Sequence, residues 1–301
     1  WCSLVMIGDA YTPGALVMAH SLRKVKTKYP ILCMVTYDVT DAARAALSKC
    51  FDKIIEVPYI THSVIPMRSY KQRDIYGAWI AKSFTKWNVL NPELFPYEKI
   101  IFCDADMFVV ENIDHLFEIN GPAGTFSSPW AKPYVPDGYY NPYYKNGAEL
   151  AHNVVVPTEM IKCGLNSSGA LGFVWHASLV LVLPNKLVWA QYKKILSASK
   201  PYGWQNCASG FDEQILADLY LQCGIEMYNI HQIYNWLIGK SEWIKEPAHV
   251  YQYYNKISEK PWNLNRAEWD DLIKWWELAD DLVQTCAELQ HLFVEPPLRA
   301  K

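Results

Sequence analysis

The chain runs to 301 residues and carries a formal net charge of −3. That length buries about three quarters of the surface an unfolded chain exposes, and suits one large domain or two. The weak charge leaves no footprint for nucleic acid, and no apolar run approaches the ~20 residues of a membrane span, so neither a nucleic-acid partner nor a membrane span is expected.

Strand and helix signals alternate along the first third of the chain, which predicts an α/β fold with a parallel, doubly wound sheet and a ligand at the strand carboxyl ends. A strand is expected over Ile31 to Thr36, a helix over Val39 to Leu47 and a third strand over Phe51 to Val57. No G-x-G-x-x-G follows the first strand, which disfavours a dinucleotide cofactor. Lys99-Ile100-Ile101-Phe102-Cys103 reads as a buried strand that ends abruptly in Asp104-Ala105-Asp106. Residues 129 to 158 lack periodicity and hold Tyr134, Tyr139, Tyr140, Tyr143 and Tyr144. Loops this long are usually functional or disordered. Leu179 to Leu183 reads as a further buried strand and Lys186 to Leu196 as a helix. Phe211 to Gln222 is expected as a helix whose start carries Asp212 and Glu213, where negative charge is favourable. Ala267 to Leu292 reads as a Trp-rich amphipathic helical segment that could be broken once.

In an extended strand Asp104 and Asp106 would point to the same face, roughly 6–7 Å apart. Two such carboxylates at a strand end suit a hard divalent cation holding the phosphates of a nucleotide. The bland alternative is a solvated strand end with two unrelated acids. A paired-carboxylate glycosidase is disfavoured, because its acids must flank the scissile bond from opposite sides, about 5–9.5 Å apart.

Several colinear segments add to this. They are Asp9-Ala10-Tyr11-Thr12-Pro13-Gly14-Ala15-Leu16-Val17-Met18, Phe51-Asp52-Lys53-Ile54-Ile55-Glu56-Val57, Thr85-Lys86-Trp87, Asn112-Ile113-Asp114-His115-Leu116-Phe117 and Lys260-Pro261-Trp262. Together with the acid pair they resemble glycosyltransferase family 8, the glycogenin and galactinol synthase group. The resemblance implies a Rossmann-like GT-A nucleotide-sugar-binding fold with a mixed, mainly parallel central sheet. It implies a single domain over 1–301, with a nucleotide-binding half (1–125), an acceptor-binding half (126–262) and a C-terminal helical segment (263–301). The implied activity is retaining, metal-dependent transfer of glucose or galactose from a UDP-sugar to a separate hydroxyl acceptor, whether carbohydrate, polyol or glycoprotein.

The resemblance also assigns residues. Tyr11, Asp9, Lys86, Asp104, Ala105, Asp106 and Lys260 would bind the UDP-sugar. Manganese or magnesium would sit on Asp104, Asp106 and Gln252, the last standing where the family has a histidine. An amide carbonyl is a weaker ligand for manganese than imidazole, and His249 falls on the opposite face of the strand. Asp212, Lys86 and His176 would act in catalysis, with His176-Ala177-Ser178 replacing the family's Asn-Ser-Gly. Ile233-Tyr234-Asn235 matches glycogenin, but Glu242 stands where glycogenin carries its self-glucosylated tyrosine, which disfavours a glycogen primer.

The departures at Gln252 and His176 motivate a rival, a catalytically weak or inactive nucleotide-sugar-binding scaffold. A nucleotidyltransferase is disfavoured by the Asp-Ala-Tyr and Lys-Pro-Trp segments. Eight cysteines without a C-x-x-C pair are expected as free core thiols in a reducing compartment, hence a cytoplasmic rather than a secretory setting. The chain starts at Trp1 rather than Met, so a leader could have been trimmed, and a homodimer is compatible with the sequence.

Overall fold

Four-residue strands made wholly of apolar or small residues are built to be covered on both faces, and the chain begins with them. A computed structural model describes residues 1–67, 73–74, 76–77, 79–126, 150–166, 174–205, 207, 209–238, 248–253 and 256–298. In chain order its strands and helices are β1 (Cys2–Val5), α1 (Thr12–Lys24), β2 (Leu32–Val35), α2 (Asp41–Leu47), β3 (Lys53–Glu56), β4 (Ile100–Cys103), β5 (Met107–Val109), β6 (Ala123–Thr125), α3 (Thr158–Asn166), β7 (His176–Val182), α4 (Lys186–Leu196), α5 (Phe211–Gln222), β8 (Tyr228–Asn229), β9 (Trp236–Ile238), β10 (Val250–Tyr253) and α6 (Asp270–Thr285). A 3-10 run, Ile80–Leu90, precedes β4.

Two compact units interleave along the chain. The first comprises Trp1–Pro58, Cys103–Asp114 and Ile233–Lys301, the second Tyr59–Phe102 and His115–Gln232.

In the first unit β1, β2 and β3 run parallel, with Cys2 opposite Leu32 and Cys33 opposite Ile54. β1 and β2 are buried throughout, as parallel strands are, whereas the ends of β3 are exposed. α1 opens with Pro13, whose missing N–H costs nothing in a first turn, and closes on Arg23 and Lys24, which complement the carboxyl end of its dipole. A three-stranded sheet completes the unit. There β10 pairs antiparallel with β5 and parallel with β9, so that Gln252 lies opposite Met107 on one side and Leu237 on the other. Val17, Phe108, Tyr253, Trp262, Leu272, Trp275 and Trp276 form one buried cluster with this sheet and α6. The Tyr253 hydroxyl donates to the Asp271 carbonyl at 2.6 Å, satisfying a phenol that burial would otherwise make costly.

In the second unit the sheet order is β4-β7-β6-β8, with β6 antiparallel to β7 and parallel to β8. α5 packs beside the 3-10 run, where the Trp87 indole N–H donates to the Asp212 carbonyl at 3.0 Å. The Tyr192 hydroxyl of α4 donates to the Phe84 carbonyl at 2.8 Å.

The expected helices over Lys186–Leu196 and Phe211–Gln222 are found with those bounds. The C-terminal segment is broken once, at Cys286, between α6 and a 3-10 turn over Ala287–Leu292. The acid pair requires a correction. β4 ends at Cys103, and Ala105 and Asp106 form a turn into β5, so the two carboxylates do not share the face of one extended strand.

Candidate active site

In the first unit the chain leaves β1 through Ile7 and Gly8, both with positive φ (61° and 74°). A β-branched residue in that conformation is strained, and such strain persists where the surroundings enforce it. The next residue, Asp9, accepts from Thr40 twice, from its N–H at 2.9 Å and from its hydroxyl at 2.6 Å. Its carboxylate thus holds the residue that caps α2. Tyr11 then meets Trp262 edge to face, ring centres 5.5 Å apart.

Gly14 explains how close the next contacts come. A Cβ there would collide with the Trp262 ring and lie 2.5 Å from the Ala105 carbonyl oxygen, so only glycine lets α1 settle on this turn. The turn brings Asp106 into the interior. Its carbonyl accepts from the Tyr253 N–H, and its Oδ2 accepts from the Lys260 ammonium at 2.5 Å. Lys260 is 4% exposed, also donates to the Tyr253 carbonyl at 2.7 Å, and lies 6.0 Å from the centre of the Tyr11 ring. The second carboxylate oxygen, Asp106 Oδ1, is buried and has no hydrogen-bond partner among the described residues. The Thr12 hydroxyl and the Trp262 indole nitrogen are in the same condition.

An orphaned buried carboxylate oxygen is costly unless something else occupies it. With Asp104 half-buried two residues away and the amide of buried Gln252 on β10, the donors are all oxygens, the chemistry a hard divalent cation prefers. Among the described residues no group of three His, Cys, Asp or Glu converges as a metal site, so the set fits a cation only with the Gln252 carbonyl included. His249 is engaged elsewhere, its Nδ1 2.8 Å from Glu111 and its ring against Tyr234.

In the second unit Lys86 and Asp212 form an ion pair at 3.0 Å, with side chains only 11% and 9% exposed. The Lys86 ammonium also lies 5.6 Å from the centre of the Phe102 ring. Beside the pair, Glu213 accepts from the Ala177 N–H at 3.2 Å and the Gly210 N–H at 2.7 Å. His176 Nδ1 stands 3.9 Å from the same carboxylate. Burial pushes the Glu213 carboxyl up to about 8, helped by the Asp212 charge, and holds the His176 imidazole down to about 4. His176 is therefore neutral near pH 7.

Structure thus brings Tyr11, Ala105, Asp106 and Lys260 together in one unit, and Lys86, Asp212 and His176 in the other. Glu213 was read from the sequence only as a charge at a helix start. The usable signal was its place three residues after Gly210, the spacing at which an acid reaches back to the cap N–H. The loop tyrosines Tyr134, Tyr139, Tyr140, Tyr143 and Tyr144, and Glu242, lie outside the described residues.

Residues 2–133 match the model of glycosyl transferase family 8. Galactinol synthase 7 of Arabidopsis thaliana is 27% identical over 299 residues, 91% of this chain and 79% of that protein. Glycogenin-2 of Homo sapiens is 33% identical over 110 residues, 36% of this chain and 21% of that protein. The galactosyltransferase LgtC, solved with donor and acceptor sugar analogues, superposes with a TM-score of 0.57 at 13% identity, covering 97% of this chain and 100% of that one. At that identity the likeness speaks for the fold. It is the α/β GT-A fold with a mixed, mainly parallel sheet expected from the sequence.

Proposed function

We propose, from the match of residues 2–133 to glycosyl transferase family 8 and the likeness to galactinol synthase 7 and glycogenin-2, that the protein is a hexosyltransferase of that family. Its donor is a UDP-sugar, UDP-glucose or UDP-galactose, its acceptor a hydroxyl on a separate molecule, and configuration at the anomeric carbon is retained. The observation that supports this best is the orphaned Asp106 Oδ1 beside buried Lys260, an oxygen and a cation arranged for a ligand that carries its own charges.

Asp104, Asp106 and the Gln252 carbonyl would hold manganese or magnesium. Bound there, the cation neutralises the diphosphate and stabilises departing UDP. Lys260 adds a compact point charge of the kind that suits phosphate. Tyr11 offers a ring to the nucleotide, the Ala105 backbone contacts the donor, and Asp9 keeps the loop before α1 in place through Thr40. In the second unit Lys86 offsets negative charge on the leaving group, Asp212 faces the sugar, and neutral His176 donates to a sugar hydroxyl.

A second reading has a specific observation behind it. Lys260 already sits on Asp106 Oδ2, so the lysine itself supplies the positive charge and the cation is dispensable. The rival scaffold binds a UDP-sugar without turning it over.

UDP release from UDP-glucose and UDP-galactose with manganese, with and without chelator, separates these. The metal reading expects Asp106→Asn to lower turnover by about 100-fold, since metal stabilisation is worth several kcal/mol. Asn and Ala both remove the counter-charge of the buried Lys260 ammonium, a change that costs about 3–5 kcal/mol of stability, and Asn is preferred because its amide oxygen still accepts from that ammonium. That cost is not legible in the sequence, where Asp106 reads as a strand-end residue. Unchanged turnover in Asp106→Asn rejects the assignment. Full activity in chelator moves the positive charge to Lys260. Binding with no turnover leaves the scaffold.

A further inference from the structure

We infer that Glu213 is a positioning residue, which ties the entry of β7 to the first turn of α5 and so fixes His176 and Asp212 at the site. The inference deepens the transferase reading and rests on it for the role of Asp212. Its geometry stands apart from that reading. The two Glu213 carboxylate oxygens accept from two backbone N–H groups on separate segments, Ala177 at 3.2 Å and Gly210 at 2.7 Å. Ala177 follows His176 directly, and Asp212 lies between Gly210 and Glu213, so each bond fixes backbone next to a proposed site residue. A third bond works in the same direction, since the Trp175 indole N–H donates to the Glu213 carbonyl at 3.2 Å. The Trp87 indole N–H grips the neighbouring Asp212 carbonyl. Asp212 is thereby held from both sides while its carboxylate engages Lys86.

The residue type follows from this. Two acceptors are needed for two donors, and both oxygens of a carboxyl group can accept whether or not it holds its proton, whereas a carboxamide has one acceptor and turns an N–H against an N–H at the other. A solvated helix-start acid would serve the α5 dipole equally well, but it would not be only 17% exposed or bonded to a residue 36 positions earlier. The charged and titratable groups facing Glu213 are Asp212 on its own helix, His176 on β7, Lys86 on the 3-10 run and Cys207 before the helix.

Glu213→Gln and Glu213→Ala test the inference, with the wild-type protein as reference. Two readouts are taken: UDP release with its kcat and donor KM, and the acylation rate of Lys86 followed by mass spectrometry. A positioning role lowers kcat about tenfold or more while donor KM stays within about twofold, because misplacing a reacting group by a fraction of an ångström costs rate rather than affinity. It also raises Lys86 acylation about tenfold as the Lys86–Asp212 pair loosens, more in Glu213→Ala than in Glu213→Gln. Unchanged kcat together with unchanged Lys86 reactivity in Glu213→Gln overturns the inference. If the wild-type protein releases no UDP from any donor, the transferase reading fails, and Lys86 acylation alone still decides the role of Glu213. If Glu213→Ala does not fold, Glu213→Gln decides both readouts.

Discussion

Burial gives His176 and Glu213 opposite signs in the dependence of stability on pH. An unfolded histidine takes up its proton near 6.5, but His176 in the fold resists it down to about 4. Between those values the unfolded state binds more protons, so stability falls as pH falls, by on the order of 2–3 kcal/mol across the window. Glu213 keeps its proton up to about 8 against 4.5 when unfolded. There the native state binds more protons, so stability falls as pH rises. The two limbs oppose each other between about 4.5 and 6.5, and only the Glu213 limb remains from 6.5 to 8. Melting temperatures at several pH values should therefore fall across 6.5 to 8, and Glu213→Gln should flatten that fall. His176→Asn should make the decline start near 4.5 instead. An identical slope in Glu213→Gln and wild type contradicts the assignment. Residue identity alone could not have shown this. The sequence placed Asp212 and Glu213 together at a helix start, but that both turn inward, Asp212 to Lys86 and Glu213 to the Ala177 N–H, depends on segments that arrive from distant parts of the chain.

Among the elements, α1 and the turn after β4 show what the sequence could and could not say. Gly14 was legible as part of a motif, but its reason, an approach to the Ala105 carbonyl and the Trp262 ring, depends on residues far along the chain. Gly14→Ala places a methyl group 2.5 Å from a backbone oxygen, which cannot swing away as a flexible side chain can. Overpacking of this kind costs about 1–3 kcal/mol, and in a chain this size each kcal/mol lowers Tm by about 2–4 °C. A Tm unchanged from wild type would mean that the turn yields freely. α4 and α5 were legible to their ends because the signals are local. Asn185 caps α4 by accepting from the Leu187 and Val188 N–H groups, both at 2.9 Å, and acids open α5. The short strands β5, β6, β8 and β9 were not, since two or three residues carry no periodicity and their partners lie elsewhere in the sequence. The same blindness extended the carboxylate strand too far. Nothing between Cys103 and Met107 announces that the chain must turn to meet β10.

Across the whole molecule the thiols sort by depth. Cys2, Cys33, Cys50, Cys103 and Cys207 are buried, and burial raises Cys2, Cys50, Cys103 and Cys207 to about 12, which removes the reactive thiolate at neutral pH. Cys163, Cys223 and Cys286 are partly exposed. A thiol-specific alkylating reagent should therefore modify up to three cysteines in the native protein, and the remaining five only as denaturant opens the core. Early modification of Cys2 or Cys103 would show that the β1 region opens locally. Among the described residues, no helix is long and apolar enough to cross a membrane.

The pairing of Asp106 with Lys260 also has a temporal side. The partners are separated by 154 residues, and the first unit needs segments from near both ends of the sequence. At a synthesis rate of about 5–20 residues per second, the carboxylate leaves the ribosome roughly 10–30 s before the lysine that neutralises it. Throughout that interval the nascent chain carries β5 without β10 and Gly14 without the indole that packs on it. A message that stops before the codon for Lys260 therefore yields a polypeptide with the aspartate but not its counter-ion, whereas one that reaches Trp262 has made Asp106, Tyr253, Lys260 and Trp262 together.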